Sequence, residues 1–191
     1  MCIRDRCGTG GNGGGALVCA RRLHNWGANI EVYMTADEDK MTPITLHQLK
    51  ILKRIGVPTV LGNELTDNEN YDLLIDGIIG YSIKGNPYGI PEKMINWINQ
   101  RTEKVLSLDT PSGLGLTTGT IHTPTVIADA TLTLAMPKLG LFDEKAQEVV
   151  GDLYLGDIGV PLELYAEKTL GLEAANIFRY SDIIEVFKKT T

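Results

Sequence analysis

The segment Cys7-Gly8-Thr9-Gly10-Gly11-Asn12-Gly13-Gly14-Gly15 carries six glycines and leads into a helical pattern that starts near Ala16. Glycine has no Cβ, so a ligand can lie against the backbone while the N–H groups of the following helix point outward. The segment therefore predicts a phosphate-binding or dinucleotide-binding loop. Its Gly8-x-Gly10-x-x-Gly13 spacing fits the dinucleotide fingerprint, which many unrelated proteins also carry. The alternative is a tight turn needed only for close packing of a helix on a sheet.

Apolar runs and helical segments alternate along the rest of the chain. Apolar spacing, capping residues and helix-ending glycines predict helices over residues 16–26, 42–55 and 91–101. Short apolar runs predict strands over 29–34, 57–61, 71–76, 105–108, 130–135 and 152–155, and a helical segment and an amphipathic end follow Pro161. This alternation predicts an α/β protein with a three-layer αβα, Rossmann-like, open and mostly parallel sheet.

Composition narrows the classes of function. A chain of 191 residues fits one globular domain. A net charge of −6 and a pI near 5.1, without a long basic tract, argue against nucleic-acid binding. The three cysteines Cys2, Cys7 and Cys19 lack the spacing of a zinc site and indicate a reducing, cytoplasmic compartment. No apolar run approaches the roughly 18 residues of a membrane span, and no signal peptide is recognisable.

Residues 1–6 do not fit the pattern. An apolar strand should lead into a glycine segment of this kind, but Arg4, Asp5 and Arg6 stand there instead. We interpret residues 1–6 as a non-native or truncated leader and residues 7–191 as the domain, so a first strand is expected to be missing.

Three loops should meet at one crevice, because ligands of open parallel sheets bind at the carboxyl ends of the strands. They are the glycine segment, the loop after Asp76 and the loop after Asp109. For either aspartate alone, capping a helix is the favoured interpretation. Lys84 lies in the irregular loop 80–87, where a lysine is usually just solvated; if the crevice forms, it could lie near Asp109 and stabilise the ionised carboxylate.

The same three loops offer hard oxygen ligands. Asn12, Asp76 and Ser112 carry the donors that potassium, sodium or magnesium prefers, although these residues alone do not make a metal site the favoured interpretation. The histidines are scattered, and no Ser-His-Asp triad is evident.

Together, the glycine segment, the motif Asp-Gly-Ile-Ile-Gly-Tyr-Ser-Ile-Lys-Gly at 76–85 and Ser-Leu-Asp-Thr-Pro-Ser-Gly at 107–113 resemble the NAD(P)H-hydrate epimerase family, the YjeF N-terminal domain. The resemblance extends to residues 151–161. It implies an isomerase that interconverts the R and S epimers of hydrated NADH and NADPH (NADHX and NADPHX). The functional partner would be an NAD(P)H-hydrate dehydratase, which repairs only the S form.

The resemblance also implies a set of site residues. Asp109 would be the general acid or base and Lys84 would orient it, so these two are the expected catalytic residues. The substrate would be bound by Gly11, Asn12, Gly13, Gly14, Gly15, Gly80, Tyr81, Ser82, Ile83, Lys84, Gly85, Asn86 and Asp109. Potassium, K+, would be bound by Asn12, Asp76 and Ser112, which makes the metal site expected.

Two departures from the family pattern bear on activity. Gly15 stands where the family carries an acid, and each lost charged hydrogen bond costs on the order of 1.5–3 kcal/mol. The family's helices before the first strand, which help to pair subunits, are also missing, so a homodimer would be weakened. The first alternative is therefore a ligand-binding or scaffold module without turnover.

The second alternative is an NAD-dependent dehydrogenase. Such an enzyme needs an acid at the end of the second strand to bind the ribose. Glu31 lies too early in that strand and Asp37 lies beyond its end.

Overall fold

The computed structural model describes residues 1–63, 71–166, 171 and 175–189, and its centre is one eight-stranded sheet. The strands are β1 (Cys2–Cys7), β2 (Asn29–Met34), β3 (Thr59–Leu61), β4 (Leu73–Gly77), β5 (Lys104–Leu108), β6 (Ala130–Leu134), β7 (Asp152–Gly156) and β8 (Ile183–Phe187). The helices are α1 (Gly11–Asn25), α2 (Pro43–Arg54), α3 (Ile90–Asn99), α4 (Gln147–Val150) and α5 (Leu162–Ala166). None of the helices described is long and apolar enough to cross a lipid bilayer.

The strands lie in the order β3-β2-β1-β4-β5-β6-β7-β8. All neighbours from β3 to β7 are parallel, and only β8 runs antiparallel to its neighbour β7. The predicted mostly parallel α/β sheet is confirmed. The amphipathic end expected after Pro161 includes an edge strand, β8, that the sequence pattern did not identify.

Helices cover both faces of the sheet, as adjacent residues of β4 show. Leu74 belongs to a buried cluster that includes Met94 of α3, whereas Ile75 packs in a cluster with Leu17 of α1 and Leu52 of α2. Successive side chains of a strand point to opposite faces, so α3 lies on one side and α1 and α2 on the other. The three-layer arrangement is therefore confirmed.

The main boundary error concerns α1, which begins at Gly11 rather than near Ala16. Glycine has a poor intrinsic helix propensity, so the sequence pattern assigned residues 11–15 to a loop. Their backbone nevertheless forms the first turns of the helix. The predicted helix over 42–55 is found as α2, with Thr42 as its cap and Pro43 at its first position. The helix expected after Pro161 is present as α5; residues 167–170, which follow it, lie outside the described residues.

The strand β1 is built from residues that the sequence analysis set aside as a leader. It lies between β2 and β4, and the side chains of Arg4, Asp5 and Arg6 are fully buried. Arg4 donates a hydrogen bond to Glu31 at 2.6 Å. The first-strand position is thus filled, because the backbone ladder to two neighbouring strands does not depend on side-chain polarity.

Burial shifts the pKa values of charged side chains in β1 away from their ordinary values. The guanidinium of Arg6 lies 3.9 Å from the ring centroid of Trp97, and burial lowers the pKa of Arg6 to about 9. Burial raises the pKa of Asp5 well above its ordinary value. Asp5 forms no ion pair within the residues that the structure describes. The core beneath α1 therefore holds an acid that is easier to bury in its neutral form.

The turn from β1 into α1 packs directly on the end of β4. The N–H of Gly8 donates to the carbonyl oxygen of Gly77 at 2.9 Å. A Cβ on Gly8 would lie 2.0 Å from the Ile78 carbonyl oxygen, and one on Gly13 would lie 1.9 Å from the Gly8 carbonyl oxygen. Close packing thus explains these two glycines of the segment.

We expect Asp5→Val to stabilise the protein at pH 7 by about 1–3 kcal/mol, because it removes a buried polar group. The wild-type contribution of Asp5 is greatest below the unfolded-state pKa near 4 and is lost as the pH rises through the raised folded-state pKa. Urea unfolding at pH 4 and pH 7 should show a gap between variant and wild type that widens with pH. Asp5→Asn, which cannot ionise, is the control; a gap that narrows towards pH 7 would contradict the assignment.

We expect Gly13→Ala to lower the free energy of unfolding by about 3 kcal/mol, because the new Cβ must displace the backbone of Gly8. The matched control is Gly15→Ala in the same helix, where an added Cβ meets nothing within 4 Å. Alanine is the better helix former, so this control should raise stability by up to about 1 kcal/mol. Both are measured by urea denaturation, and equal effects at the two positions would refute this packing.

Candidate active site at the carboxyl ends of the strands

A cavity of about 980 Å³ opens at the carboxyl ends of the strands. Its walls come from the glycine segment, the start of the loop after β4, the ends of β5 and β6, and the exposed side of α1. This volume lies in the range of pockets that bind small molecules and cofactors. The predicted site residues that line it are Gly11, Asn12, Gly13, Gly15, Gly80, Tyr81, Ser82 and Asp109.

The amino terminus of α1 forms one wall of this cavity. Gly10, Gly11 and Gly15 line it, and a Cβ on any of them would meet nothing within 4 Å. No side chain caps the helix, and its first turn holds no acid. The N–H groups and the positive end of the helix dipole therefore remain available to an anionic ligand such as a phosphate.

The start of α2 holds this terminus in place. The Thr45 hydroxyl donates to the carbonyl oxygen of Gly10 at 2.9 Å. The N–H of Thr42 donates to the carbonyl oxygen of Thr9 at 3.1 Å. Two hydrogen bonds from the start of α2 thus fix the backbone just before α1. Gly14 faces this contact rather than the cavity, since a Cβ there would lie 3.2 Å from the Thr45 hydroxyl oxygen.

Asp76, which lies at the carboxyl end of β4, is a fully buried carboxylate. Its Oδ1 accepts from the Ser112 hydroxyl at 2.5 Å and from the Ile78 N–H at 3.2 Å. Its Oδ2 accepts from the Ser107 hydroxyl and the Ser112 N–H, both at 2.8 Å. Burial raises the pKa of Asp76, and these hydrogen bonds oppose the rise. No lysine or arginine pairs with it within the described part of the chain.

Asn12 approaches the same cluster from α1. The Ser112 hydroxyl oxygen accepts from the Ile79 N–H at 2.8 Å, and the next residue, Gly80, packs on the Asn12 side chain. The Asn12 Nδ2 is buried and has no hydrogen-bond partner among the described residues. Turning the amide over would place its oxygen at that position. The Ser112 hydroxyl thus links Asp76 to residue 79, while Asn12 packs against residue 80. The three predicted cation ligands can therefore offer oxygen donors suited to a hard cation.

Asp109 lies just beyond β5 at the edge of the cavity, in a left-handed backbone conformation with a φ of +65°. Its Oδ1 is contacted by the ammonium group of Lys138, by the Thr133 hydroxyl at 3.2 Å and by the Leu134 N–H at 3.4 Å. Lys138 was not predicted from the sequence. The signal was available, because Lys138 follows the strand at 130–134 and the rule of strand carboxyl ends applies to that strand as well.

Lys84 is not the lysine that contacts Asp109. It is exposed in the loop 80–87, and no ion pair involving it occurs in the described ranges. Ile83, Gly85 and Asn86 also lie outside the cavity lining. The Asn86 side chain instead accepts a hydrogen bond from the Thr123 N–H at 3.1 Å. The first residues of this loop reach the cavity, whereas its remainder extends over the surface.

Comparison with known proteins relates this site to a family. Residues 6–140 match the family described as YjeF-related protein N-terminus. The chain is 36% identical over 167 residues to an NAD(P)H-hydrate epimerase of Dehalogenimonas lykanthroporepellens, covering 85% of this chain and 64% of the relative. It is also 36% identical to a bifunctional NAD(P)H-hydrate repair enzyme, Nnr, of Moorella thermoacetica, covering 84% of this chain and 32% of that enzyme.

The fold has a solved counterpart. A crystal structure of the yeast protein ynu0 superposes with a TM-score of 0.79 over 96% of this chain and 76% of the yeast chain, at 23% identity.

The chain spans 64% of the length of the relative from Dehalogenimonas lykanthroporepellens and 32% of that from Moorella thermoacetica. The family match covers most of the sequence, including the glycine segment, Asp76, Asp109 and Lys138. This chain belongs to the YjeF-related protein N-terminus family.

Proposed function

We propose that this protein is an NAD(P)H-hydrate epimerase, an isomerase that interconverts the R and S epimers of NADHX and NADPHX. One observation carries the proposal: the Asp109 carboxylate and the uncapped, glycine-lined amino terminus of α1 line the same cavity. This pairing suits a substrate with a phosphate-bearing part and a part that undergoes proton transfer. The names of the two bacterial relatives support the same reaction.

Each wall of the cavity has a role in this proposal. The N–H groups at the start of α1 bind the pyrophosphate of the substrate, and the open space above Gly11 and Gly15 lets it approach the backbone. Gly80, Tyr81 and Ser82 hold the other side of the substrate. Asp109 acts as general acid or base at the hydrated carbon of the nicotinamide ring, where proton transfer by a positioned carboxylate contributes about 10²–10⁴-fold in rate.

Lys84 has a supporting role in the proposed reaction. It extends from the loop whose first residues line the cavity, and its ammonium group is exposed to solvent. The proposed role is to offset negative charge on the bound substrate.

We also propose that the site binds K+ through Asn12, Asp76 and Ser112. The residues fit such an ion: Asp76 is a buried carboxylate whose hydrogen bonds all come from neutral donors, and Ser112 and Asn12 supply neutral oxygens. A bound cation would balance the charge of Asp76 and hold Asn12 against Gly80. It would thereby fix two walls of the cavity.

The proposed functional partner is an NAD(P)H-hydrate dehydratase. The relative from Moorella thermoacetica is named as a bifunctional repair enzyme, and this chain matches one third of its length. The proposed setting is the cytoplasm, in keeping with cysteines that are all free. A homodimer completes the proposal.

The second candidate is a binding or scaffold module with the same pocket and no turnover. The observation in its favour is Gly15, which lines the cavity at a position where the resemblance leads us to expect an acid. A missing carboxylate would weaken the hold on a substrate hydroxyl without affecting the fold.

The enzyme and the module are distinguished by the rate of R-to-S interconversion of NADHX and NADPHX. We expect the wild type with K+ to accelerate it over the uncatalysed rate, and Asp109→Asn to remove about 10²–10⁴-fold of that acceleration, because the isosteric amide cannot transfer the proton. Asp37→Asn, at an exposed carboxylate outside the cavity lining, is the matched control. Tight binding of NADHX by calorimetry without any acceleration would instead establish the module.

The K+ site is tested by thermal unfolding in KCl and in tetramethylammonium chloride at equal ionic strength. A ligand that binds only the folded state stabilises it, so K+ should raise the midpoint of the wild type. Ser112→Ala and Asp76→Asn should lose this increase, whereas Asp39→Asn, at an exposed carboxylate, should keep it. An increase of the same size in all three variants would show that K+ acts elsewhere.

A further inference from the structure

We propose that Lys138 is a positioning residue that locks one oxygen of Asp109 so that the other faces the cavity in a fixed place. The proposal rests on the proposed function for its catalytic consequence, whereas the pairing itself is a separate property of the fold. It adds to the reaction a residue of the segment that follows β6, which the sequence motifs did not identify.

The first observation is that every contact to the Asp109 carboxylate reaches the same atom. Lys138 Nζ, the Thr133 hydroxyl and the Leu134 N–H all point at Oδ1. No hydrogen bond reaches Oδ2 from the residues that the structure describes, and Asp109 lines the cavity. A carboxylate that is free to turn offers either oxygen, but this one keeps Oδ2 available to a ligand.

The second observation is that the ammonium group has no spare donor. It has three N–H bonds, and besides Asp109 it donates to the Thr133 hydroxyl at 2.9 Å and to the Leu134 carbonyl oxygen at 3.0 Å. All three acceptors lie at the carboxyl ends of β5 and β6. Lys138 is therefore fixed by the same edge of the sheet that carries Asp109, rather than extending into the cavity towards a substrate.

The third observation concerns the backbone that places the pair. Asp109 and Ala135 are the non-glycine residues with positive φ in the described part of the chain, at +65° and +62°. For alanine this conformation is uncommon, and it occurs where the surrounding structure imposes it. Ala135 turns the chain after β6, and three residues later the side chain of Lys138 reaches back to the strand end.

The pair is also better protected than an ordinary surface ion pair. The side chains of Lys138 and Asp109 are 24% and 18% exposed, whereas those of Lys104 and Asp129, at the opposite end of β5, are 76% and 40% exposed. Exposed pairs gain little from their geometry, but partly buried pairs with saturated hydrogen bonds hold one orientation. Fixed orientation of a reacting group is a recognised source of rate enhancement, and a misplacement of about 1 Å costs about 100-fold.

The kinetic test is Lys138→Ala in the epimerase assay. We expect kcat to fall about 100-fold while KM stays within about threefold, because Lys138 positions Asp109 and does not bind substrate. Added ethylammonium should restore part of kcat, since it can occupy the vacated space and contact Oδ1. The matched control is Lys104→Ala, which removes an aspartate-paired lysine from the same strand at its other end and should leave kcat unchanged.

Three kinetic outcomes would overturn the proposal. One is an unchanged kcat in Lys138→Ala, which would show that Asp109 needs no such support. Another is a raised KM at constant kcat, which would make Lys138 a substrate-binding residue. The third is a loss of kcat in a folded variant, as judged by circular dichroism, without rescue by ethylammonium.

The pairing itself is tested without turnover, by acetylation with acetic anhydride followed by peptide mass spectrometry. In the wild type, Lys138 should be modified more slowly than Lys84, and in Asp109→Asn its rate should rise at least about fivefold as the ion pair is lost. Equal rates in wild type and Asp109→Asn would overturn the proposal, whether or not Lys138→Ala folds. A wild type that shows the protection but no epimerisation would refute the proposed function and leave the pairing established.

Discussion

The contact on which the rest of the structure depends is the close approach of the β1–α1 turn to the end of β4. Gly8 bonds to Gly77 and lies against Ile78, and Gly13 lies against Gly8, at distances that leave no room for a Cβ. This packing fixes where α1 begins relative to the carboxyl ends of the strands. The helix therefore starts at the edge of the sheet, with its unbonded N–H groups beside the strand ends.

Two acids at adjacent strand ends occupy different surroundings and so suit different chemistry. Asp76 accepts four hydrogen bonds from neutral donors and is buried, which suits a structural carboxylate beside a cation. Asp109 is held at one oxygen by Lys138 and lines the cavity. The parallel register of β4 and β5 brings the two carboxylates close together, and among the described residues they share no hydrogen-bond partner.

Strand β1 shows that a segment with three charged residues can form a central strand when its backbone is hydrogen-bonded to strands on both sides. Its position between β2 and β4 provides hydrogen-bonded neighbours on both sides, and Arg4 and Arg6 lie over the aromatic rings of Tyr33 and Trp97. Asp5 lies fully buried in the same strand. The sequence pattern did not identify this segment as a central strand, because strands are predicted from alternating or continuous apolar side chains. Such patterns contain no information on backbone hydrogen bonds to neighbouring strands.

The sequence by itself determined the α/β class, the parallel order of most of the sheet and the three loops of the site, because apolar periodicity and the strand-end rule are local or follow from connectivity. It also indicated Asp109, Asp76 and Ser112 through their motifs. Only the tertiary structure decided that Lys138, rather than Lys84, contacts Asp109, and that β8 forms the edge strand beside β7. It also decided which glycines are needed for close packing, Gly8 and Gly13, and which have open space towards the cavity, Gly10, Gly11 and Gly15. The physical reason is that side-chain reach and glycine clearance depend on distances between segments far apart in the chain, which no local pattern contains.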